Sequence, residues 1–129
     1  MAIWQGKPRR KATGGRLRLA RNKRRFEIGR EKQFTHLGET KVKLYRVKGA
    51  NNHKARLLMV NTANVVDPKT KLVKRVNILT VKSNPSNPNY VQRNILNKGA
   101  TVMTDLGEAV VTSRCGQNGV VNAMLVESK

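Results

Sequence analysis

The stretch Thr101-Val102-Met103-Thr104-Asp105-Leu106-Gly107-Glu108-Ala109-Val110-Val111-Thr112-Ser113-Arg114-Cys115-Gly116-Gln117-Asn118-Gly119-Val120-Val121-Asn122-Ala123-Met124-Leu125-Val126 decides the fold. Thr101 to Thr104 and Ala109 to Thr112 are short β-branched and aliphatic runs that flank a brief connection, Asp105-Leu106-Gly107-Glu108. Gly116-Gln117-Asn118-Gly119 joins the second run to a third, Val120 to Val126, so the stretch reads as a β-meander. The same texture extends upstream as far as Thr40. Val42 and Leu44 alternate with Lys41 and Lys43 before Tyr45 and Val47 shift the phase, which predicts a strand with a bulge or twist ending at Lys48-Gly49. Ala55 to Val66 is apolar at its centre and reads as one strand buried on both faces. Asp67-Pro68-Lys69-Thr70 is a turn, with Pro setting φ at its second position. Lys71 to Lys82 alternates around Leu72, Val76 and Ile78 before shifting to Leu79 and Val81, and a polar loop, Ser83 to Asn89, follows. Asn89 to Asn97 places Tyr90, Val91, Ile95 and Leu96 at helical spacing, with Asn89 as N-cap. Five or six short strands in about 85 residues predict a mainly β fold: a small antiparallel β-barrel, closed or partly open, with at most one short helix. No internal repeat is visible.

The charge runs the other way along the chain. Of 129 residues, 27 are Lys or Arg and seven Asp or Glu, a net charge of +20. Residues 1–56 hold 18 of the cations and three acids (Glu27, Glu31, Glu39), a net +15, and residues 57–129 carry the remaining +5. Residues 1–33 offer few large apolar groups and no sustained period, so they build no core alone. The expected organisation is an extended basic N-terminal arm, 1–33, grafted onto a β-barrel domain, 34–129. A monomer so basic repels itself unless a polyanion neutralises it, and nucleic acid is the commonest such partner.

Other chemistries lack their residues. One Cys, Cys115, and two separated His, His36 and His53, make no Cys/His zinc site, disulfide framework or Cys-x-x-Cys redox pair. No metal or cofactor is expected. The seven carboxylates are scattered, no Ser/His/Asp or Cys/His set is identifiable, and no Gly-rich loop opens a long helix, so no catalytic residues are assigned. Asp105 and Glu108 read as solvated turn residues, and the two His as RNA or turn contacts. Cys115 reads as inert despite its neighbour Arg114. The longest apolar run, Leu57 to Val60, is far below the roughly 20 residues of a spanning helix, and no signal peptide follows Met1. A soluble, intracellular protein without a membrane partner is expected.

Two basic clusters carry the functional reading. The first is the arm, where Arg dominates; its planar fork grips two phosphate oxygens or lies flat on a base. The candidate RNA contacts there are Lys7, Arg9, Arg10, Lys11, Arg16, Arg18, Arg21, Asn22, Lys23, Arg24, Arg25 and Arg30. Thr13-Gly14-Gly15 adds exposed backbone N–H groups that can approach phosphates, and Trp4 and Phe26 add aromatic faces for stacking on bases. The second cluster, Arg46-Val47-Lys48-Gly49-Ala50-Asn51-Asn52-His53-Lys54-Ala55-Arg56, lies between two predicted strands and would project from one rim of the barrel. Arg46, Lys48, Asn51, Lys54 and Arg56, with Lys41 and Lys43 just before them, are assigned to RNA, as are Arg93 and Lys98.

The composite of Arg10, Thr13-Gly14-Gly15, Arg21, Lys23-Arg24-Arg25 and Phe26-Glu27-Ile28-Gly29 resembles the signature of the small-subunit ribosomal protein eight family of archaea and eukaryotes, the "eight-e" family. Val91 to Ala100 and Leu106 to Arg114 resemble that family's barrel half, and the likeness covers essentially the whole chain. Asn22 stands where a basic residue is usual, Ala50 replaces one Gly of a basic-Gly-Gly-Asn loop, and Cys115 replaces the usual Pro before Gly116-Gln117. The long insertion of eukaryotic members is missing, as in the compact archaeal form. The resemblance implies a structural, non-enzymatic constituent of the small ribosomal subunit in the cytoplasm, supporting translation. Its partners would be small-subunit rRNA and neighbouring ribosomal proteins, with no homo-oligomer. A transient ribosome-assembly factor of related architecture is the alternative, and a DNA-compacting protein a third.

Overall fold

Residues 3–47, 49 and 51–126 are described by a computed structural model. Its strands are β1 (Ile3–Trp4), β2 (Ile28–Gly29), β3 (Thr35–Leu37), β4 (Lys41–Arg46), β5 (His53–Val60), β6 (Thr62–Val66), β7 (Val73–Ser83), β8 (Ile95–Leu96), β9 (Thr101–Thr104), β10 (Gly107–Val111) and β11 (Asn122–Leu125). Two four-residue helices, α1 (Asn89–Gln92) and α2 (Cys115–Asn118), interrupt them. The chain divides into two compact units, residues 1–32 and 33–129. Each is described separately.

In the second unit the predicted meander forms. Thr104 pairs with Gly107 across a two-residue loop, Asp105-Leu106, and Ala109 stands between Val102 of β9 and Leu125 of β11. Gly107 takes a φ of 123°, a conformation open to glycine and strained for other residues. The ring β10-β11-β6-β7-β9 then closes on itself. Strand direction cannot alternate all the way round a ring of five, so one seam must be parallel. It falls between β6 and β11, and the other four are antiparallel. Val65, Val102 and Val111 face inward opposite the small Ala63, Ala109 and Ala123, all at most 2% exposed. Large against small side chains is how a narrow barrel fills without voids.

The phase shift read in Lys71 to Lys82 is a pair of bulges. Between Ile78 and Thr80, and again between Val81 and Ser83, β7 has one residue more than β9. Leu79 is pushed out to 53% exposure while Ile78 and Val81 stay buried. Leu72, read as part of the alternation, precedes the strand and is 58% exposed. Such bulges bend a long strand enough to follow a tight barrel. The bulge expected around Tyr45 instead falls at Lys41/Val42.

Ala55 to Val66 is two strands, not one. The chain turns at Asn61, whose carbonyl accepts the Ile78 N–H at 2.8 Å. Before the corner, β5 lies between β4 and β3 in a four-stranded sheet, β4-β5-β3-β8; after it, β6 belongs to the barrel. Apolar residues on both sides of the corner hid it, because each half presents its own inward face. The helix expected over Asn89 to Asn97 stops at Gln92: Asn94 has φ 48°, and Ile95 and Leu96 pair with β3 as buried strand residues. Pro88 is the N-cap, and the neighbouring Asn87 side chain accepts the Asn89 N–H at 2.9 Å. The polar loop before it is partly interior, since Asn84 is 6% exposed and donates to Asn97 Oδ1 at 2.7 Å. A second helix, α2, forms where a plain turn was expected. Cys115 is its first residue, the position that tolerates Pro because its N–H has no intrahelical acceptor.

Candidate nucleic-acid interface

Residues 3–32 contain no buried side chain among those described. Their order comes from backbone pairing and charge. Ile3 pairs with Gly29 and Trp4 with Ile28. A Cβ on Gly29 would stand 2.6 Å from the Gln5 side chain, and one on Gly6 would run into the Trp4 ring. Farther along, Arg10 bridges Arg16 and Leu17 N–H reaches Arg9 O at 2.7 Å, making a small hairpin tipped by Thr13-Gly14-Gly15. Gly14 supplies the positive φ of 83° at that tip, and the Arg10 guanidinium donates to its carbonyl at 2.9 Å. The tip is thus a hydrogen-bonded, cationic turn.

Glu27 organises the basic run. Its carboxylate pairs with Arg21 at 2.7 Å and accepts the Arg24 backbone N–H at 3.2 Å. These contacts close one turn of 3-10 helix, Arg25–Glu27, and its backbone presents Phe26 at 75% exposure with the Arg21 guanidinium 5.6 Å from the ring centre. Trp4 is half-buried and already engaged: Arg9 and Lys23 each lie 5.7 Å from its ring centre, and its Nε1 donates to Lys7 O at 3.2 Å. Cation–π contacts of this kind hold like charges together that would otherwise spread. Two open concavities result, of about 540 and 530 Å³. Arg9, Arg21, Asn22 and Lys23 line one, and Arg10, Arg16 and Arg18 line the other beside Arg9. Lys7, Lys11, Arg25 and Arg30 are exposed around them. Concave cationic surfaces of this size accommodate phosphate and ribose groups.

In the second unit, the cluster from Arg46 to Arg56 lies on a two-stranded ribbon, β4–β5, of the four-stranded sheet. Register sorts its charges. Lys43 lies opposite Arg56 and Tyr45 opposite Lys54, so these four share one face, while Arg46 lies opposite His53 on the other. Arg56 sits 4.6 Å over the Tyr45 ring and donates to Gln33 Oε1 at 2.9 Å. In the sequence Tyr45 reads only as a strand residue and not as part of the interface; the signal that would have placed it there is its position, two residues from Lys43, on the alternation of β4. Lys41 is exposed at the bulge, and Asn51 is exposed in the turn, where its carbonyl meets His53 Nδ1 at 3.1 Å. Lys48 and Ala50 lie outside the described residues. Arg93 and Lys98 are exposed, on the segments flanking β8. His36 Nδ1 lies 3.3 Å from Arg93 O.

The remaining reactive groups serve the fold. Cys115 is 2% exposed, and burial pushes its thiol up, away from the thiolate. Asp105 and Glu108 are not merely solvated. The first accepts the Asn77 N–H at 3.2 Å and the second pairs with Lys82, so both tie β7 to the hairpin beside it. Among the described residues, no group of three or more His, Cys, Asp or Glu could hold a metal ion, and no helix is long and apolar enough to cross a membrane.

Nearly the whole chain is similar in sequence to known proteins. Residues 4–126 fit the family model for ribosomal protein S8e. The small ribosomal subunit protein eS8 of Methanococcus aeolicus is 51% identical over 127 residues, 98% of either chain. That of Methanocorpusculum labreanum is 53% identical over 125 residues, 97% of this chain and 99% of the relative. The eS8 protein of Picrophilus torridus is 48% identical over 126 residues, 98% of this chain and all of the relative. With likeness of this extent, end to end, the chain belongs to the ribosomal protein S8e family.

Proposed function

We propose that the chain is a structural, non-enzymatic constituent of the small ribosomal subunit in the cytoplasm, and that residues 1–33 and the basic face of β4–β5 hold rRNA. The observation that carries the reading is the pairing of family membership with two cationic surfaces of different build. On the arm, the Thr13-Gly14-Gly15 tip and the cationic concavities take phosphates, Phe26 stacks on a base, and Trp4 keeps Arg9 and Lys23 in place. On the ribbon, Lys43, Lys54 and Arg56 take phosphates along a strip of β-structure, with Tyr45 beneath Arg56. Arg and Lys contacts of this sort position a protein by RNA shape more than by sequence. Affinity then comes largely from counterion release, which offsets the entropy lost on ordering the arm.

The test is sedimentation of cell extracts at high magnesium with the chain quantified in each fraction. One copy per small subunit, retained in translating ribosomes, is expected. A substoichiometric chain confined to immature particles would instead mark an assembly factor, and a chain found only in free or membrane fractions would refute the ribosomal reading.

A further inference from the structure

The β4–β5 ribbon is basic on one face, and its other face is apolar except at the end where Arg46 lies opposite His53. Val42 lies opposite Leu57 and Leu44 opposite Ala55, so these four share the face away from Lys43, Tyr45, Lys54 and Arg56. Near the end of α2 this face is covered: Asn118 bridges Ala55, and a Cβ on Gly119 would stand 2.6 Å from the Ala55 Cβ. Elsewhere, Leu57 apart, it is largely bare. Leu44 is 71% exposed, Val42 48% and nearby Val120 44%. Val42 and Val120 line a groove of about 250 Å³ that includes the buried Leu57, Val60 and Val121.

Arg75 is the one charged residue among the groove's described lining, and the lining has no aromatic side chain. Its guanidinium donates to Thr62 Oγ1 at 3.3 Å and forms no ion pair among the described residues. A largely aliphatic groove with a single available cation and no carboxylate is complementary to an apolar side chain with a carboxylate close by. RNA fits it poorly. A base would find no ring to stack on, and a phosphodiester would meet one cation and the neutral Thr40, Thr62 and Asn64 among aliphatic side chains.

We propose that this groove seats a peptide segment of a neighbouring protein in the assembled small subunit, its apolar side chain against Val42, Val120 and Leu57 and its carboxylate on Arg75. The proposal rests on the ribosomal reading above. It makes the ribbon a partition, with RNA on the face of Lys43, Lys54 and Arg56 and protein on the face of Val42 and Leu44.

The experiment places a photo-crosslinking benzophenone side chain at Leu44, exposed enough to accept it, in cells whose small subunits carry only that version. Subunits are purified, irradiated and analysed for crosslinked peptides and nucleotides. The expected product joins position 44 to one protein segment that has an apolar residue beside an Asp, a Glu or a C-terminal carboxylate. Arg75→Glu should lower its yield about tenfold, as loss of one charge-assisted contact does. Arg75→Ala, milder at this exposed position, should lower it less, with the melting temperature of the free full-length chain unchanged. A crosslink to rRNA, a protein crosslink indifferent to both changes, or no crosslink from subunits that contain the chain would overturn the groove alone. Absence of the chain from the subunits would overturn the ribosomal reading and the groove together.

Discussion

Residues 3–32 and residues 33–126 keep their shape by different physics. The first set buries no side chain; it relies on a few backbone pairs, one carboxylate and cations stacked on rings. The second encloses Val65, Val102, Val111, Ala109 and Ala123 at 1% exposure or less. Hydrophobic burial works without help from outside, whereas charge-held order among like charges is shallow until an anion arrives. The difference teaches that net charge and stability are set in separate parts of this chain.

The largest expected effect comes from removing residues 1–33. The remaining barrel should fold yet bind small-subunit rRNA with a much flatter salt dependence. If half of the twelve cations in residues 1–33 meet phosphates, the slope of log affinity against log salt shallows by roughly 4 to 5. Anisotropy titrations across salt concentrations measure it, and an unchanged slope breaks the contrast between the units. Val102→Ala tests the other side: it should cost about 2 kcal/mol of stability by denaturant unfolding and leave the salt slope alone.

Smaller changes sharpen the arm's interior logic. Phe26→Ala should cost about 1–2 kcal/mol of RNA affinity, a stacking loss, with no shift in melting. Glu27→Ala removes the acid that pins Arg21 and Arg24, and raises the positive charge by one. Charge alone would then tighten binding; organisation predicts that it weakens, by about 0.5–1 kcal/mol. Tighter binding would show that Glu27 merely dilutes the charge.

The smallest effect concerns the turn before β7. The Thr70 hydroxyl at 2.8 Å, and next the Lys69 N–H at 3.0 Å, hold the Asp67 carboxyl below its usual 3.8. A carboxylate depressed on folding adds stability above the unfolded value, and that contribution disappears as pH falls through the folded one. Unfolding midpoints of the natural chain and Asp67→Asn should therefore differ slightly at pH 7 and converge below the usual 3.8. A gap that persists in acid would mean that the turn depends on the Asp shape and not on its charge.

Much of the β architecture was legible because β-branched runs and turn residues alternate plainly from Thr101 to Val126. The corner at Asn61 was not, since one apolar run feeds two sheets and only pairing partners reveal the break. The parallel seam follows from strand number, which no local pattern counts. For the binding surface, residue types were readable and their sides were not. Arg46 and Arg56 look equivalent in a basic cluster, and register alone sends them to opposite faces. The organising role of Glu27 has no sequence signal, because its partners fold back onto it from three and six residues away.

The seam between β6 and β11 has a consequence in time. β11 bridges β10 and β6, so the ring cannot close until residues 122–125 have left the synthesising ribosome. Residues 1–32 emerge some ninety residues earlier, roughly 5 to 20 s at ordinary rates of chain growth. For that interval the nascent chain displays its most cationic segment with no finished core behind it, in a cell crowded with RNA. Until Asp67 emerges, Glu27, Glu31 and Glu39 are the only side-chain carboxylates available to restrain it.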